Sequence, residues 1–195
     1  MSAFHPYLTL KLNVMKDVKK LNSELKDVIL KFLFTFNIFE SEFFEEPKSD
    51  DSESNKKSEY KRVSQRENEI QNICNENNYP VSILEKFQSH FCEVYLDNNE
   101  WSDRFRSLKY SNHNKNGFNE NDMEHIYDFL NCSLENNKRF AIKNALMISY
   151  KFRNNLFHGN KDIQDLKDFK DDFLEITNFL ILLMEYLDKI EAKQF

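Results

Sequence analysis

The sequence predicts an all-α fold, a helical bundle with an up-and-down core and a long C-terminal helix. Its 195 residues include two Gly and three Pro, whereas β folds and nucleotide-binding α/β folds need many turn glycines. Apolar residues recur at three- and four-residue steps over several long segments, which is typical of helices. The hydrophobic content of 40 %, with 19 Phe, is enough for the core of one domain covering residues 1–195.

Two helices are predicted in the N-terminal part, separated by a polar segment. Residues 7–43 carry apolar side chains at helical spacing. Residues 45–58 have no apolar anchor, which predicts a mobile loop. Residues 59–77 predict a charged helix with a thin apolar stripe. The stripe consists of Val63, Ile70 and Ile73. No motif in residues 1–118 indicates a function.

The middle of the chain predicts one further helix and a mixed segment. Pro80 is expected to start a helix over residues 81–96, since proline suits a first helical turn. Residues 97–118 are mixed in character, with Trp101 and Phe105 as the expected anchors and an Asn-rich run that predicts a loop.

Three helices are predicted after this loop. Asn119 or Asn121 is expected to cap a helix ending near Leu134, a second helix covers about residues 138–155, and the last starts near Asp162. The last helix has an apolar stripe at three- and four-residue spacing: Ile163, Leu166, Phe169, Phe173, Ile176, Leu180, Leu183, Leu187 and Ile190. Further apolar residues widen it beyond one face: Phe179, Ile181, Leu182 and Met184. This excess predicts a second buried surface on the helix. A subunit interface is one candidate for that surface.

Composition also bounds the function. There is no Gly-rich phosphate loop and no membrane span is expected, because the most apolar stretch is short and bounded by Glu175 and Glu185. The three cysteines, Cys74, Cys92 and Cys132, form no C-x-x-C pair and no cluster with His. We interpret them as thiols packed in a reducing cytoplasm, and we expect no metal and no cofactor.

The formal net charge of −6 is unevenly distributed. Residues 136–161 contain no Asp or Glu and carry a formal charge of +6, so the remainder carries −12. Six basic residues lie in this window: Lys138, Arg139, Lys143, Lys151, Arg153 and Lys161. One interpretation is a local anion site; the other is a solvated basic face beside the acidic start of the last helix.

The informative segment of the window is Arg153-Asn-Asn-Leu-Phe-His158-Gly. It resembles the signature of the HEPN family, an Arg followed after four to six residues by a His, often with a polar residue such as Asn directly after the Arg. The resemblance covers the C-terminal part best, from about residue 119 to 190, within a motif-bearing core of residues 119–195. It implies an HEPN-like bundle and an endoribonuclease, in the manner of bacterial toxins and phage-defence proteins, that forms a homodimer with its two motifs facing each other.

The chemistry of RNA cleavage fits these residue types. A His with a pKa near neutrality can take the proton of the 2′-hydroxyl, and an Arg can contact two oxygens of the charged phosphorane. Arg153, Asn154 and His158 are therefore the candidate catalytic residues. Lys143, Lys151, Lys161 and Tyr150 are the candidate RNA-binding residues. The alternatives are that His158 caps a helix, that Arg153 neutralises a helix C-terminus, and that Tyr150 belongs to the core.

Two features qualify the resemblance. Arg106 and His113 form a second pair at an allowed spacing, but a Ser follows the Arg and the segment predicts an irregular loop. HEPN toxins that are silenced by a nucleotidyltransferase carry a Tyr two residues after the His, and here that residue is Asn160. RNA is the expected partner, with a cognate antitoxin or regulator possible. The alternatives are a non-catalytic HEPN module that binds RNA or a protein, and an unrelated helical interaction protein.

Overall fold

The structure, a computed structural model, describes residues 23–43, 59–109, 118–157 and 165–193. These residues contain seven α-helices, which confirms the all-α prediction. In chain order the helices are α1 (Ser23–Phe43), α2 (Glu59–Glu76), α3 (Glu85–Tyr95), α4 (Asp103–Arg106), α5 (Glu120–Asn131), α6 (Leu134–Phe157) and α7 (Lys170–Glu191). Two 3₁₀ turns, Val81–Ile83 and Asp165–Phe169, precede α3 and α7.

Helix α6 lies at the centre of the bundle. From Ala141 to Arg153, every side chain except that of Lys143 is buried. Buried polar groups must find hydrogen-bond partners, and the helix meets this requirement in two ways. The Asn144 amide donates to the backbone carbonyl of His125 at 3.1 Å, and the Ser149 hydroxyl donates back to the Ala145 carbonyl at 2.8 Å.

Aromatic side chains connect α6 to the helices around it. The Phe152 ring contacts Phe91 of α3 at 5.6 Å and Phe173 of α7 at 6.1 Å between centroids. Phe32 of α1 lies 5.0 Å from Phe173, and Phe87 lies 4.9 Å from Phe179. Burial of each ring contributes roughly 1.5–3 kcal/mol to folding, so these contacts join α1, α3, α6 and α7 into one core.

Helix α2 runs antiparallel to α6 and is joined to it by polar contacts. The Gln71 side chain accepts from the Lys143 backbone N–H at 3.0 Å, Asn75 donates to the Arg139 carbonyl at 3.1 Å, and the Tyr79 hydroxyl donates to the Lys138 carbonyl at 2.8 Å. Moving along α2 toward its end therefore moves backward along α6.

A two-residue hairpin interrupts the helices. Strands β1 (Leu96–Asp97) and β2 (Glu100–Trp101) pair antiparallel, and Asn98 and Asn99 between them both have positive φ, at 52° and 65°. This is the conformation that a two-residue hairpin turn requires, and Asn tolerates it better than most residues. The expected anchors are both present: Phe105 is fully buried and Trp101 is half-buried, with their rings edge to face at 5.1 Å.

The predicted cap of α5 is confirmed, and the predicted end of that helix is not. Asn119 caps α5 by accepting from the Asp122 backbone N–H at 2.9 Å. α5 ends at Asn131, so Leu134 starts the next helix instead of ending this one. Residues 7–22 of the predicted first helix and the predicted loop of residues 45–58 lie outside the described residues. Within the described part of the chain, no helix combines the length and the apolarity needed to cross a membrane.

Two predictions were wrong, one about the buried face of α2 and one about the residue at which the last helix begins. Ile73 was assigned to the buried stripe of α2, but 41 % of it is exposed; the buried face follows Glu67, Ile70, Gln71 and Cys74. The regular part of the last helix begins at Lys170, later than Asp162, because residues 165–169 form a 3₁₀ turn. Residues three apart share a face in both helix types, so Leu166 and Phe169 fit either one.

Of the four residues that predict a second buried surface on the last helix, one is buried within the chain. Phe179 is 1 % exposed and packs against α3, while Met184 packs against the core from a half-buried position. Leu182 remains 42 % exposed. Of the four excess residues, Phe179 therefore needs no subunit interface to cover it.

We expect Glu67→Gln to stabilise the protein at pH 7. Burial raises the pKa of Glu67 from 4.5 to about 8, with Lys143 lowering it and Asp122 raising it further. The folded state thus keeps a proton that the unfolded state loses above pH 4.5, and stability falls as pH rises from there to about 8. Replacing the carboxyl by an amide should remove this loss, by up to about 3 kcal/mol at pH 7.

The measurement is urea unfolding of both proteins from pH 5 to 8, with the exposed Glu76→Gln on the same helix as the control. The control should follow the wild type within about 0.5 kcal/mol. A Glu67→Gln protein that is less stable than the wild type at pH 7 would show that Glu67 is ionised and paired in the folded state.

Candidate functional site

The predicted catalytic motif lies at the end of the central helix. Arg153 and Asn154 belong to the last part of α6, which ends at Phe157. His158, Lys161 and Asn160 lie outside the described residues. The structure therefore describes the Arg-Asn half of the motif, and the position of the His stays a prediction.

The Arg153 guanidinium is held by two side chains. Its Nη1 donates to Asn154 Oδ1 at 3.0 Å, and its Nη2 donates to Glu40 Oε2 at 3.2 Å, forming an ion pair. The Arg153 side chain is 11 % exposed and that of Glu40 is 28 % exposed. The motif Arg thus contacts the last turn of α1, more than a hundred residues earlier in the sequence.

Tyr150 joins the same arrangement from one turn earlier on α6. Its hydroxyl donates to the other carboxylate oxygen, Glu40 Oε1, at 3.2 Å, and its ring packs edge to face on Phe36 at 5.0 Å. Burial, together with the negative charge of Glu40, raises the pKa of the Tyr150 phenol. We call Glu40, Tyr150, Arg153 and Asn154 the Glu40 cluster.

The candidate RNA-binding residues do not share one exposed face. Tyr150 is 7 % exposed and Lys151 is 4 % exposed, and the Lys151 ammonium lies over the Phe118 ring at 5.7 Å. Burial lowers the pKa of Lys151 from 10.5 to about 8. Lys143 is half-buried near Glu67. Contact of Tyr150 and Lys151 with RNA would require the groups that cover them to move, and their RNA-binding role stays a prediction.

The basic window is therefore distributed around α6. Arg139 is exposed, Lys138 and Lys143 are half-buried, and Lys151 and Arg153 are buried. A continuous solvated face does not describe these residues. The second Arg–His pair is described only in part: Arg106 is exposed and pairs with Asp103 at 3.2 Å, and His113 lies outside the described residues.

A second polar cluster was not predicted from the sequence. Asp172 of α7 is 2 % exposed. One of its carboxylate oxygens is 2.7 Å from His90 Nε2 of α3, and the other accepts from Arg104 of α4. The Arg104 guanidinium also lies 4.4 Å above the Phe169 ring. The three polar groups connect three helices, and the separation of 82 positions between His90 and Asp172 explains why no local pattern indicates the contact.

Neither a metal-binding arrangement among the described residues nor a similarity to a known protein identifies the site. Among them, no group of three or more His, Cys, Asp or Glu side chains is arranged to hold a metal ion. No protein-family model, no curated protein and no solved structure matches the chain.

We expect the His90–Asp172 pair to make stability depend on pH. The hydrogen bond to Asp172 raises the pKa of His90 above 6.5, and the charges of Asp172, Glu175 and Asp171 add to this effect; Arg104 also faces the same carboxylate. A His whose pKa is raised on folding stabilises the protein fully below pH 6.5, and this contribution is lost as pH rises through the folded-state pKa.

The measurement is thermal unfolding between pH 5 and 9 for the wild type, His90→Gln and the control His125→Gln, whose side chain is exposed. The stability difference between wild type and His90→Gln should shrink as pH rises, and His125→Gln controls for the loss of an exposed imidazole. A His90→Gln difference that grows with pH would contradict a protonated His90.

Proposed function

We propose that the chain is a metal-independent endoribonuclease on an HEPN-type helical bundle, with Arg153, Asn154 and His158 as its catalytic residues. The observation that supports the proposal is the direct hydrogen bond between Arg153 and Asn154 at the end of the central helix. It makes the first two residues of the motif one unit, five and four positions before His158. The all-α class of the structure agrees with the helical bundle that the resemblance to HEPN proteins implies.

In the proposed reaction, His158 removes the proton from a 2′-hydroxyl of RNA. The resulting oxygen attacks the adjacent phosphorus and the bond to the 5′-oxygen breaks, which leaves a 2′,3′-cyclic phosphate and, after protonation, a 5′-hydroxyl. Arg153 would stabilise the additional negative charge on the phosphorane oxygens. Asn154 accepts from Arg153 through Oδ1, so its amide N–H groups are the end that would donate to a phosphate oxygen.

A symmetric homodimer would complete this chemistry. The leaving 5′-oxygen needs an acid, and one chain contributes one motif His. Two motifs facing each other across a two-fold axis would provide the second His and double the local positive charge. Exposed apolar side chains are available for an association between protomers: Phe34 is 69 % exposed, and Ile73, Phe140 and Leu182 are 41 %, 43 % and 42 % exposed.

The proposed biological role follows from the resemblance. HEPN ribonucleases of this type act as bacterial toxins or phage-defence effectors in the cytoplasm, and a cognate antitoxin or regulator would control the activity. Asn160 replaces the Tyr that nucleotidyltransferase antitoxins modify, so we propose a different form of control for this chain.

One observation favours a second candidate, a non-catalytic HEPN module that binds RNA or a partner protein. Both terminal nitrogens of Arg153 are engaged, one by Glu40 and one by Asn154, and the side chain is 11 % exposed. A guanidinium in this position can stabilise the fold instead of binding a substrate.

The test of the enzyme is RNA cleavage by purified protein in EDTA, with the product ends identified. We expect cleavage that leaves 2′,3′-cyclic phosphate, and a loss of about 100-fold or more in His158→Ala and Arg153→Ala, the range typical of a general base or of a group that stabilises developing charge. Arg139→Ala, an exposed Arg on the same helix, is the matched control and should retain activity.

Circular dichroism would confirm that each variant is folded. Cleavage that survives both substitutions would place the active site elsewhere. A folded wild-type dimer that cleaves no cellular RNA but retains RNA or protein partners would favour the non-catalytic module.

We expect the specific activity to depend on dimerisation. If each reaction needs both motifs, the rate per protomer should rise with protein concentration and reach a plateau as the dimer forms, because the monomer lacks the second His. Light scattering after gel filtration, at the concentrations of the activity assay, gives the oligomeric state. Full activity in a sample that is entirely monomeric would contradict the two-motif site.

A further inference from the structure

We propose that Glu40 is a latch on Arg153. The Glu40 carboxylate holds the Arg153 guanidinium inward and neutralises its charge, so an RNA phosphate must displace Glu40 before Arg153 can bind that phosphate. The proposal rests on the proposed function only in naming RNA as the ligand. It assigns to α1 a regulatory contact that the motif itself does not reveal.

The geometry of the carboxylate supports this assignment. Glu40 uses one oxygen for Tyr150 and the other for Arg153, both at 3.2 Å, and these two residues are neighbours on one face of α6. Tyr150 is fixed by its buried ring on Phe36. The hydroxyl therefore orients the carboxylate, and the carboxylate in turn orients the guanidinium.

The contact has a direct consequence for phosphate binding. An Arg binds a phosphate best with two parallel N–H donors, and in this structure Nη2 is bonded to Glu40 and Nη1 to Asn154. A phosphodiester that replaces the carboxylate exchanges one charge-assisted hydrogen bond for another of the same kind. The free-energy change of this exchange is therefore close to zero. The affinity for RNA is reduced by the free energy of the Glu40–Arg153 contact, which must be broken first.

The exposure of the two partners shows which of them can move. The Glu40 side chain is 28 % exposed and the Arg153 side chain is 11 % exposed. The neighbouring Phe39 is fully buried and anchors the helix, so the Glu40 side chain can turn toward solvent without repacking α1. By contrast, Asp172 in the other cluster is 2 % exposed, and its ion pair cannot open without uncovering a buried charge.

The test is the affinity of the full chain for a short single-stranded RNA in which every 2′-hydroxyl is methylated, so that cleavage cannot occur. Fluorescence anisotropy would compare the wild type with Glu40→Gln, which keeps an oxygen acceptor but removes the charge. We expect Glu40→Gln to bind about tenfold more tightly, a value in the range that charged contacts contribute to binding. The gain should disappear in the double variant Glu40→Gln with Arg153→Ala.

Two further variants make the result specific. Glu42→Gln removes the same charge from an exposed position two residues away, so it measures the general effect of a less acidic surface and should change affinity little. Glu40→Ala removes the carboxylate altogether and should raise affinity at least as much as Glu40→Gln. It also tests the latch if Glu40→Gln does not fold.

The outcomes separate the latch from the enzyme. Tighter binding that depends on Arg153 supports the latch, whether or not the wild type cleaves RNA. Weaker or unchanged binding by Glu40→Gln and Glu40→Ala, or a gain equal to that of Glu42→Gln, would overturn it even if the wild type is an active ribonuclease. Absence of cleavage together with the expected gain would reject the catalytic proposal and leave the latch as a feature of an RNA-binding module.

Discussion

The burial of residues Ala141 to Arg153 of helix α6 is the constraint on which the rest of the structure depends. Between Ala141 and Arg153 almost no side chain reaches solvent, so the surrounding helices must supply both apolar cover and hydrogen-bond partners. α7 and α3 provide mainly aromatic contacts through Phe173 and Phe91. α2 provides polar contacts, and α1 provides the carboxylate of Glu40. A helix of mixed composition can occupy the centre because its polar residues are paired with residues distant in sequence.

Local patterns predict the elements well where packing and spacing agree. The stripe of the last helix, the cap at Asn119 and the anchors Trp101 and Phe105 follow from apolar periodicity and capping preferences. The structure confirms the cap, the anchors and the stripe from Leu166 onward. The buried face of α2 was missed because it includes Glu67 and Gln71. An apolar pattern cannot reveal a face that is buried but half polar, since its stability depends on a partner helix that the pattern does not identify.

The candidate site divides in the same way. Arg153 and Asn154 are adjacent in the sequence, and their pairing at the end of a helix needs no long-range information. Glu40 and Asp172 are two of 33 acidic residues, and nothing around them in the sequence distinguishes them from surface carboxylates. Their roles depend on contacts with Arg153 and His90 across 113 and 82 positions. Burial decides how these two carboxylates differ, and burial of a single polar residue is a property of the assembled bundle.

The hairpin also determines which region of the protein is followed by tryptophan fluorescence. The single tryptophan, Trp101, lies in β2 and contacts Phe105 and Tyr127 at 5.1 and 6.1 Å. Its emission depends on the polarity around the indole, and therefore on the packing of α4 and α5 against the hairpin. The Glu40 cluster lies on α1 and α6, where there is no indole. A shift in emission during unfolding thus records the unfolding of the hairpin region. A loss of helical circular dichroism at a different denaturant concentration would show that the hairpin region and the rest of the bundle unfold separately.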